Sequence, residues 1–269
     1  MRFWTSYQFP LSQAALIEDK KVIKTIPLNG PKTPARRVDA VGSYNDKLVL
    51  LRRSSWEIWS KDGEDCELQS YDKYLYGPHA VEQVDDKLLI SGSGHDLFYI
   101  INMDGQVVWE WFGHEYGLGG YPDHLYKENW VPIHVAGRAN PVPIDGWHYN
   151  SIFLLPDGKH FLAGSLNKSK IVKIPIYGKG GEVIETSKHH GAHSPIINHK
   201  NQLVYGLENG ICCDGEIKVS YLSWPKYIRW IGDCYAVTHE LGITFIDEDW
   251  RPMWNIPLPR PFRFTLLEY

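Results

Sequence analysis

Apolar residues along this chain come in short runs, broken by pairs such as Asp-Asp, Asp-Gly and Asn-Gly. The clearest stretch opens at Pro78-His79-Ala80-Val81, turns at Asp85-Asp86, and continues through Lys87-Leu88-Leu89-Ile90-Ser91 and Leu97-Phe98-Tyr99-Ile100-Ile101. It turns again at Asp104-Gly105 and closes with Val107-Val108-Trp109-Glu110-Trp111. Runs this short and this rich in β-branched and aromatic residues read as strands, and the turn pairs supply the positive φ that tight hairpins require. The plan recurs from Arg36-Arg37-Val38, from Trp147-His148-Tyr149-Asn150, from Ala192-His193-Ser194 and from Pro225-Lys226-Tyr227. A four-strand unit repeated at this spacing is the signature of an antiparallel propeller blade.

The ends complete the count. Gln13 to Leu28 reads as the last strands of a blade that lacks an opening strand, and Phe262 to Leu267 reads as an opening strand with nothing after it. Pairing the C-terminal strand with the N-terminal strands closes a six-bladed all-β propeller and removes the open sheet edges; five blades with frayed ends is the alternative. One domain, residues 1–269, is expected, with a 112–146 insertion that has no blade periodicity and joins one blade to the start of the next, over one face.

Composition narrows the function. The formal charge is −4 over 269 residues, so no basic field points to nucleic acid. No apolar stretch approaches a membrane span, and the N-terminus carries no export signal, which points to the cytoplasm, although an exported mature form would read the same. Cys66, Cys212, Cys213 and Cys234 have no zinc spacing and read as reduced structural thiols.

The candidate chemistry lies where the blades begin. Opening strands line a propeller's channel, so the residues that start them form a ring: Arg36 or Arg37, His79, His148, His193, Lys226 and Arg263. The second-to-third turns add Arg52 and Arg53, His95 and Asp96, Asn167, Glu208 and Asn209, and His239 and Glu240. One histidine per blade could simply satisfy backbone groups, but three at equivalent positions beside Lys and Arg favour a site. Crowded imidazoles repel when protonated, so some should stay neutral near pH 7, ready to act as nucleophile, base or metal ligand. His160 and His199 follow hairpin turns and belong to the opposite face. His189 and His190 could reach the site; His114, His124 and His134 fall in the insertion.

At Trp147-His148-Tyr149-Asn150-Ser151-Ile152 the chain resembles the bacterial arylsulfotransferases, six-bladed propellers with a His-x-Asn-Ser motif on a channel strand. The His79 blade, with its Met103-to-Trp111 tail, and the stretch from His193 to Gly210 look like further repeats of that family, together about the middle half of the chain. The resemblance implies transfer of a sulfuryl group from an aryl sulfate to a phenol without a metal. His193 would accept the group, and His79, His148 and Asn150 would hold its oxygens. Arg53, Lys226, Arg263 and Asn167 would bind the anionic substrate. The family's first and last histidines are usually followed by Asp, where this chain has Ala80 and Ser194, and its expected arginine in the His148 blade is replaced by Leu166-Asn167.

Two other readings remain open. His79, His148 and His193, with His239 or His95, could hold iron, copper or zinc, as in propeller oxygenases, lyases and lactonases. A non-catalytic module could use the propeller face or the aromatic-rich insertion, with Tyr116, Tyr121, Tyr126, Trp130 and Trp147 as its surface, to hold a protein or glycan. The expected ligand in the first two readings is a small anionic or aromatic molecule, with neither nucleic acid nor membrane involved.

Overall fold

In a computed structural model, residues 1–7, 13–26, 38–52, 55–71, 77–119 and 146–266 are described. Their strands form six sheets of four, each antiparallel, arranged as a six-bladed propeller with no α-helix among the described residues. The N-terminal strands β1 (Arg2–Tyr7), β2 (Gln13–Glu18) and β3 (Lys21–Ile26) belong to the blade that closes the ring. The next blade comprises β4 (Val38–Tyr44), β5 (Lys47–Arg52), β6 (Ser55–Trp59) and β7 (Cys66–Tyr71). After it come β8 (Pro78–Val84), β9 (Lys87–Gly92), β10 (Leu97–Ile101) and β11 (Val107–Phe112). The His148 blade has β12 (Phe153–Leu154), β13 (His160–Ser165), β14 (Lys170–Pro175) and β15 (Glu182–Thr186). The His193 blade has β16 (His193–Ile197), β17 (Leu203–Leu207), β18 (Gly210–Cys213) and β19 (Glu216–Val219). The last full blade has β20 (Tyr227–Ile231), β21 (Cys234–His239), β22 (Gly242–Asp247) and β23 (Pro252–Pro257), and β24 (Pro261–Leu266) returns to pair with β1.

Closure therefore joins one C-terminal strand to three N-terminal ones, in the order β24-β1-β2-β3. Arg2–Tyr7, where the sequence pattern marked no strand, supplies the second position, with Thr5 opposite Phe264 and also opposite Ala15. The third and fourth strands of this blade are β2 and β3, as the Gln13-to-Leu28 pattern predicts.

Burial follows position within the blade. β6 and β10 are buried throughout, whereas the outer strands β3, β15 and β19 are mostly exposed. The apolar core lies between neighbouring blades: Val49, Leu51 and Trp56 pack with Val81, Leu88 and Ile90 of the next blade. Gly42 is required there, because a Cβ would sit 2.6 Å from Val81 Cγ1 and 2.9 Å from the Val81 carbonyl oxygen. Hydroxyls stitch the inner strands together around the axis. The Ser93 hydroxyl donates to the Tyr149 carbonyl, the Ser194 N–H to the Ser151 hydroxyl (3.1 Å), the Ile228 N–H to the Ser194 hydroxyl (2.9 Å), and the Thr238 hydroxyl to the Phe262 carbonyl (3.0 Å). Each bond crosses from one blade to the next, so the channel wall is pinned by groups satisfied inside it.

Of the insertion, the described part begins with a 3-10 turn at Gly113–Tyr116. It packs across two blades: Tyr116 stacks on Trp111 of β11 at 5.7 Å, and the Tyr149 hydroxyl of the His148 blade donates to the Leu118 carbonyl at 2.6 Å. Residues 120–145, with His124, His134, Tyr121, Tyr126 and Trp130, lie outside the described residues. The four cysteines are free thiols, and burial pushes Cys212, Cys213 and Cys234 above the usual thiol range. Among the described residues no helix is long and apolar enough to cross a membrane.

Candidate active site at the channel mouth

Four blades open with one local motif: a residue at positive φ, then Pro or Ala, then the side chain of the ring. It reads Gly77-Pro78-His79, Gly191-Ala192-His193, Trp224-Pro225-Lys226 and Arg260-Pro261-Phe262, with φ of 57°, 81°, 54° and 49° at the first position. The left-handed residue turns the chain into the channel, and glycine takes that conformation at least cost. His79 then falls at a register shift between Pro78 and Ala80, an unpaired bulge position that re-aims its side chain. Ser91 holds this bulge by accepting the N–H of His79 at 3.3 Å and of Ala80 at 2.9 Å.

His148 departs from the motif, being itself at φ 56°. The Asp96 carboxylate anchors it, accepting the N–H of Trp147 at 2.9 Å and of His148 at 2.8 Å, while Leu166 N–H donates to the His148 carbonyl at 3.2 Å. Asp96 thus fixes the backbone that carries His148. Glu208 takes up His190 at 2.9 Å, and Glu240 takes up Lys226 at 3.2 Å and Arg260 at 2.7 Å.

The rings that gather are His79, His148 and His193. His79 and His148 have centroids 5.0 Å apart, and His79 also lies 4.8 Å from the Phe262 ring. Lys226 Nζ sits 5.7 Å above Phe262, and Trp224 lies 5.9 Å from His193. His193 is buried, and burial, together with the charges of His148, Lys226 and His190, pulls its imidazole down to about 3. It is neutral at pH 7.

Asn150 is 2.7 Å from His193 Nδ1. With its NH₂ turned to the ring, the amide donates to Nδ1 and leaves the proton on Nε2. With its carbonyl turned to the ring, it accepts from Nδ1–H and frees the Nε2 lone pair. The two ends of an amide have the same shape, so both proton arrangements fit. His193 Nε2 and the far end of the Asn150 amide are buried with no hydrogen-bond partner among the described residues. Lys226 is nearly buried as well; burial lowers its ammonium from the ordinary lysine value, and Glu240 offsets part of that.

The other sequence candidates sit elsewhere. Arg263 is one position past the ring, because Phe262 takes the place matching His79; its guanidinium bonds the Val81 carbonyl at 2.9 Å and Glu82 at 2.5 Å. The preceding Pro261, matching Pro78 and Pro225, is the signal that sets this alignment. Asn167 is exposed, and its N–H donates to the Trp147 carbonyl at 3.2 Å. Arg36, Arg37, Arg53 and the His95 side chain lie outside the described residues. Arg52 is wholly buried against Glu57, Nε to Oε1 2.7 Å. His239 is engaged at both ring nitrogens: Nε2 meets the Thr244 hydroxyl at 2.8 Å, and Nδ1 accepts the Leu241 N–H at 3.4 Å. It is a hairpin histidine that burial keeps below its usual value. Among the described residues no three His, Cys, Asp or Glu side chains are gathered so as to hold a metal ion, and the engagement of both His239 ring nitrogens takes that residue out of the iron, copper or zinc set drawn from the sequence. His160 pairs with Asp157 at 2.7 Å and His199 lies against Trp230, ring centroids 4.3 Å apart, away from the ring.

Beside the Lys226–Glu240 pair runs an open groove of 550 Å³ lined by Glu240, Leu241, Pro257, Leu258, Pro259 and Arg260.

The fold is shared widely among solved structures. A protein of unknown function from Bacteroides caccae aligns with TM-score 0.67 and 10% identity, covering 100% of this chain and 99% of that one. A chain of the nidogen/laminin complex aligns with TM-score 0.68 and 13% identity, over 99% and 98%. A catalytically inactive histidine-to-alanine variant of virginiamycin B lyase from Staphylococcus aureus, with quinupristin, aligns with TM-score 0.60 and 13% identity, over 94% and 84%. These similarities define the class, a six-bladed β-propeller, and at such identities they define the fold alone. No protein-family model matches the chain, that of the arylsulfotransferases included, and no curated protein matches it.

Proposed function

We propose that this propeller is an enzyme whose reaction runs through His193, transferring a sulfuryl or similar anionic group between small aromatic molecules. One observation carries the reading: a buried, neutral imidazole held at Nδ1 by Asn150, with its Nε2 unpartnered among the described residues. In the transfer, the Nε2 lone pair attacks the sulfur of an aryl sulfate while Nδ1 keeps its proton and donates it in a hydrogen bond to the Asn150 carbonyl oxygen. The N–S bond forms as the bond from sulfur to the aryl oxygen breaks, and the departing phenoxide takes a proton from Lys226. A phenol then attacks the same sulfur, gives its proton back to Lys226, and frees His193. His79 and His148 serve as donors to the sulfuryl oxygens. The apolar groove past Glu240 suits an aromatic ring.

The test is turnover of a chromogenic aryl sulfate with a phenol acceptor by the purified protein, and by His193→Ala beside His160→Ala. Phenoxide release by wild type and His160→Ala but not by His193→Ala is expected. Equal turnover by all three would discard the role of His193.

A second reading is favoured by the virginiamycin B lyase likeness, since that propeller is inactivated by loss of one histidine. Here the same Nε2 lone pair acts as base in an elimination. Consumption of quinupristin without aryl sulfate turnover would select it.

A further inference from the structure

About 10 Å along the channel from the histidines, three residues further down β8, stands a site of different chemistry. Glu82 of β8 receives Nη2 of Arg263 from β24 and Nη2 of Arg229 from β20, both on its Oε1. These strands belong to three blades, so the carboxylate and the guanidiniums meet across the axis. A cavity of 240 Å³ opens beside them, walled by Ser43, Tyr227, Trp230, Ile231 and Leu266. Two guanidiniums against one carboxylate leave a charge of +1. Arg263 is only 2% exposed, yet its Nε and Nη1 have no hydrogen-bond partner among the described residues. Stacking of its guanidinium over Tyr227, at 4.5 Å, orients the group without satisfying those donors. A clamp built only for stability would be expected to consume its donors, because a buried, unmatched cation is costly.

We infer that this cavity is an anion site, and that its ligand is a small monocarboxylate with a short apolar group: the carboxylate supplies the missing charge and acceptors to Arg263 and Arg229, and the tail lies against Tyr227, Trp230 and Leu266. This site is independent of the chemistry assigned to His193. Glu82 is then a competitor for the same guanidiniums as well as their partner, which fixes the sign of the test.

The full chain is titrated with sodium butyrate, acetate, phosphate and chloride at matched ionic strength, and thermal stability and binding heat are followed. Saturable stabilisation by butyrate, stronger than by acetate and absent with chloride, is expected. Glu82→Gln should bind butyrate about tenfold more tightly and Arg229→Gln about tenfold more weakly, the difference of one charged hydrogen bond. Chloride matching butyrate in wild type overturns the site. Phosphate matching butyrate overturns the carboxylate-and-tail assignment. Should Glu82→Gln fold poorly, the wild-type titration and the partly exposed Arg229→Gln still decide.

Discussion

The two depths of the channel use the same inner strands for opposite ends. At the mouth, His79, His193, Lys226 and Phe262 sit at matching positions, and His193 Nε2, without a hydrogen-bond partner among the described residues, belongs to a neutral ring. Three residues on from the His79 and Lys226 positions, at Glu82 and Arg229, the groups without partners among the described residues belong to a buried cation, Arg263. Burial explains both. It drives a titratable imidazole to its neutral form, which makes it a nucleophile or base. It cannot neutralise a guanidinium, whose charge is held whatever the surroundings, so the protein must bring an anion to it. For Arg229, burial opposes the charge and Glu82 and Tyr227 together outweigh it. The functions proposed above put chemistry at the first depth and binding at the second.

The comparison breaks most sharply at His193. His193→Ala should lower turnover of the aryl sulfate about 10³-fold with the fold retained, read by steady-state kinetics beside circular dichroism. Removing the carboxylate at the other depth should act on stability instead. Glu82→Ala leaves two facing guanidiniums uncompensated and should cost about 3 kcal/mol in urea unfolding, with part of the loss restored by butyrate. Glu57→Ala, which breaks the wholly buried pair with Arg52, should cost a similar amount without rescue.

The pH behaviour sharpens the neutral side. His193 titrates at about 3 when folded and near 6.5 when unfolded, so the unfolded chain binds the extra proton between those values. Its contribution to stability is complete above pH 6.5 and is lost as pH falls towards 3, and His193→Gln should flatten that part of the curve. Turnover should show no acid limb near 6.5, while an alkaline limb, set by the lowered Lys226, should fall below the ordinary lysine range. Asp96→Asn removes the carboxylate that holds the His148 backbone and should reduce turnover about tenfold, leaving butyrate binding unchanged. The smallest effect is expected for His239→Ala: turnover within about twofold of wild type, since both its ring nitrogens serve a hairpin.

The local rules of the chain set much of this structure. Period-two alternation and turn pairs such as Asp85-Asp86 and Asp104-Gly105 determine the blades, because they act over a few residues. The repeated start of each blade places His79, His148 and His193 at one end of the axis, and the frayed ends imply closure. Other features are decided only when the ring closes. Arg2–Tyr7 becomes a strand because a gap between β24 and β2 needs filling. Asn150 finds His193 in the next blade, and Arg263 and Arg229 find Glu82 across the channel, at separations of 43, 181 and 147 residues. Such pairings leave no trace in hydrophobic period, since a polar residue on an inner strand reads the same whether it meets water, a ligand or a charge from a distant blade. Tertiary geometry chooses among these, by fixing how many donors and acceptors reach each buried atom.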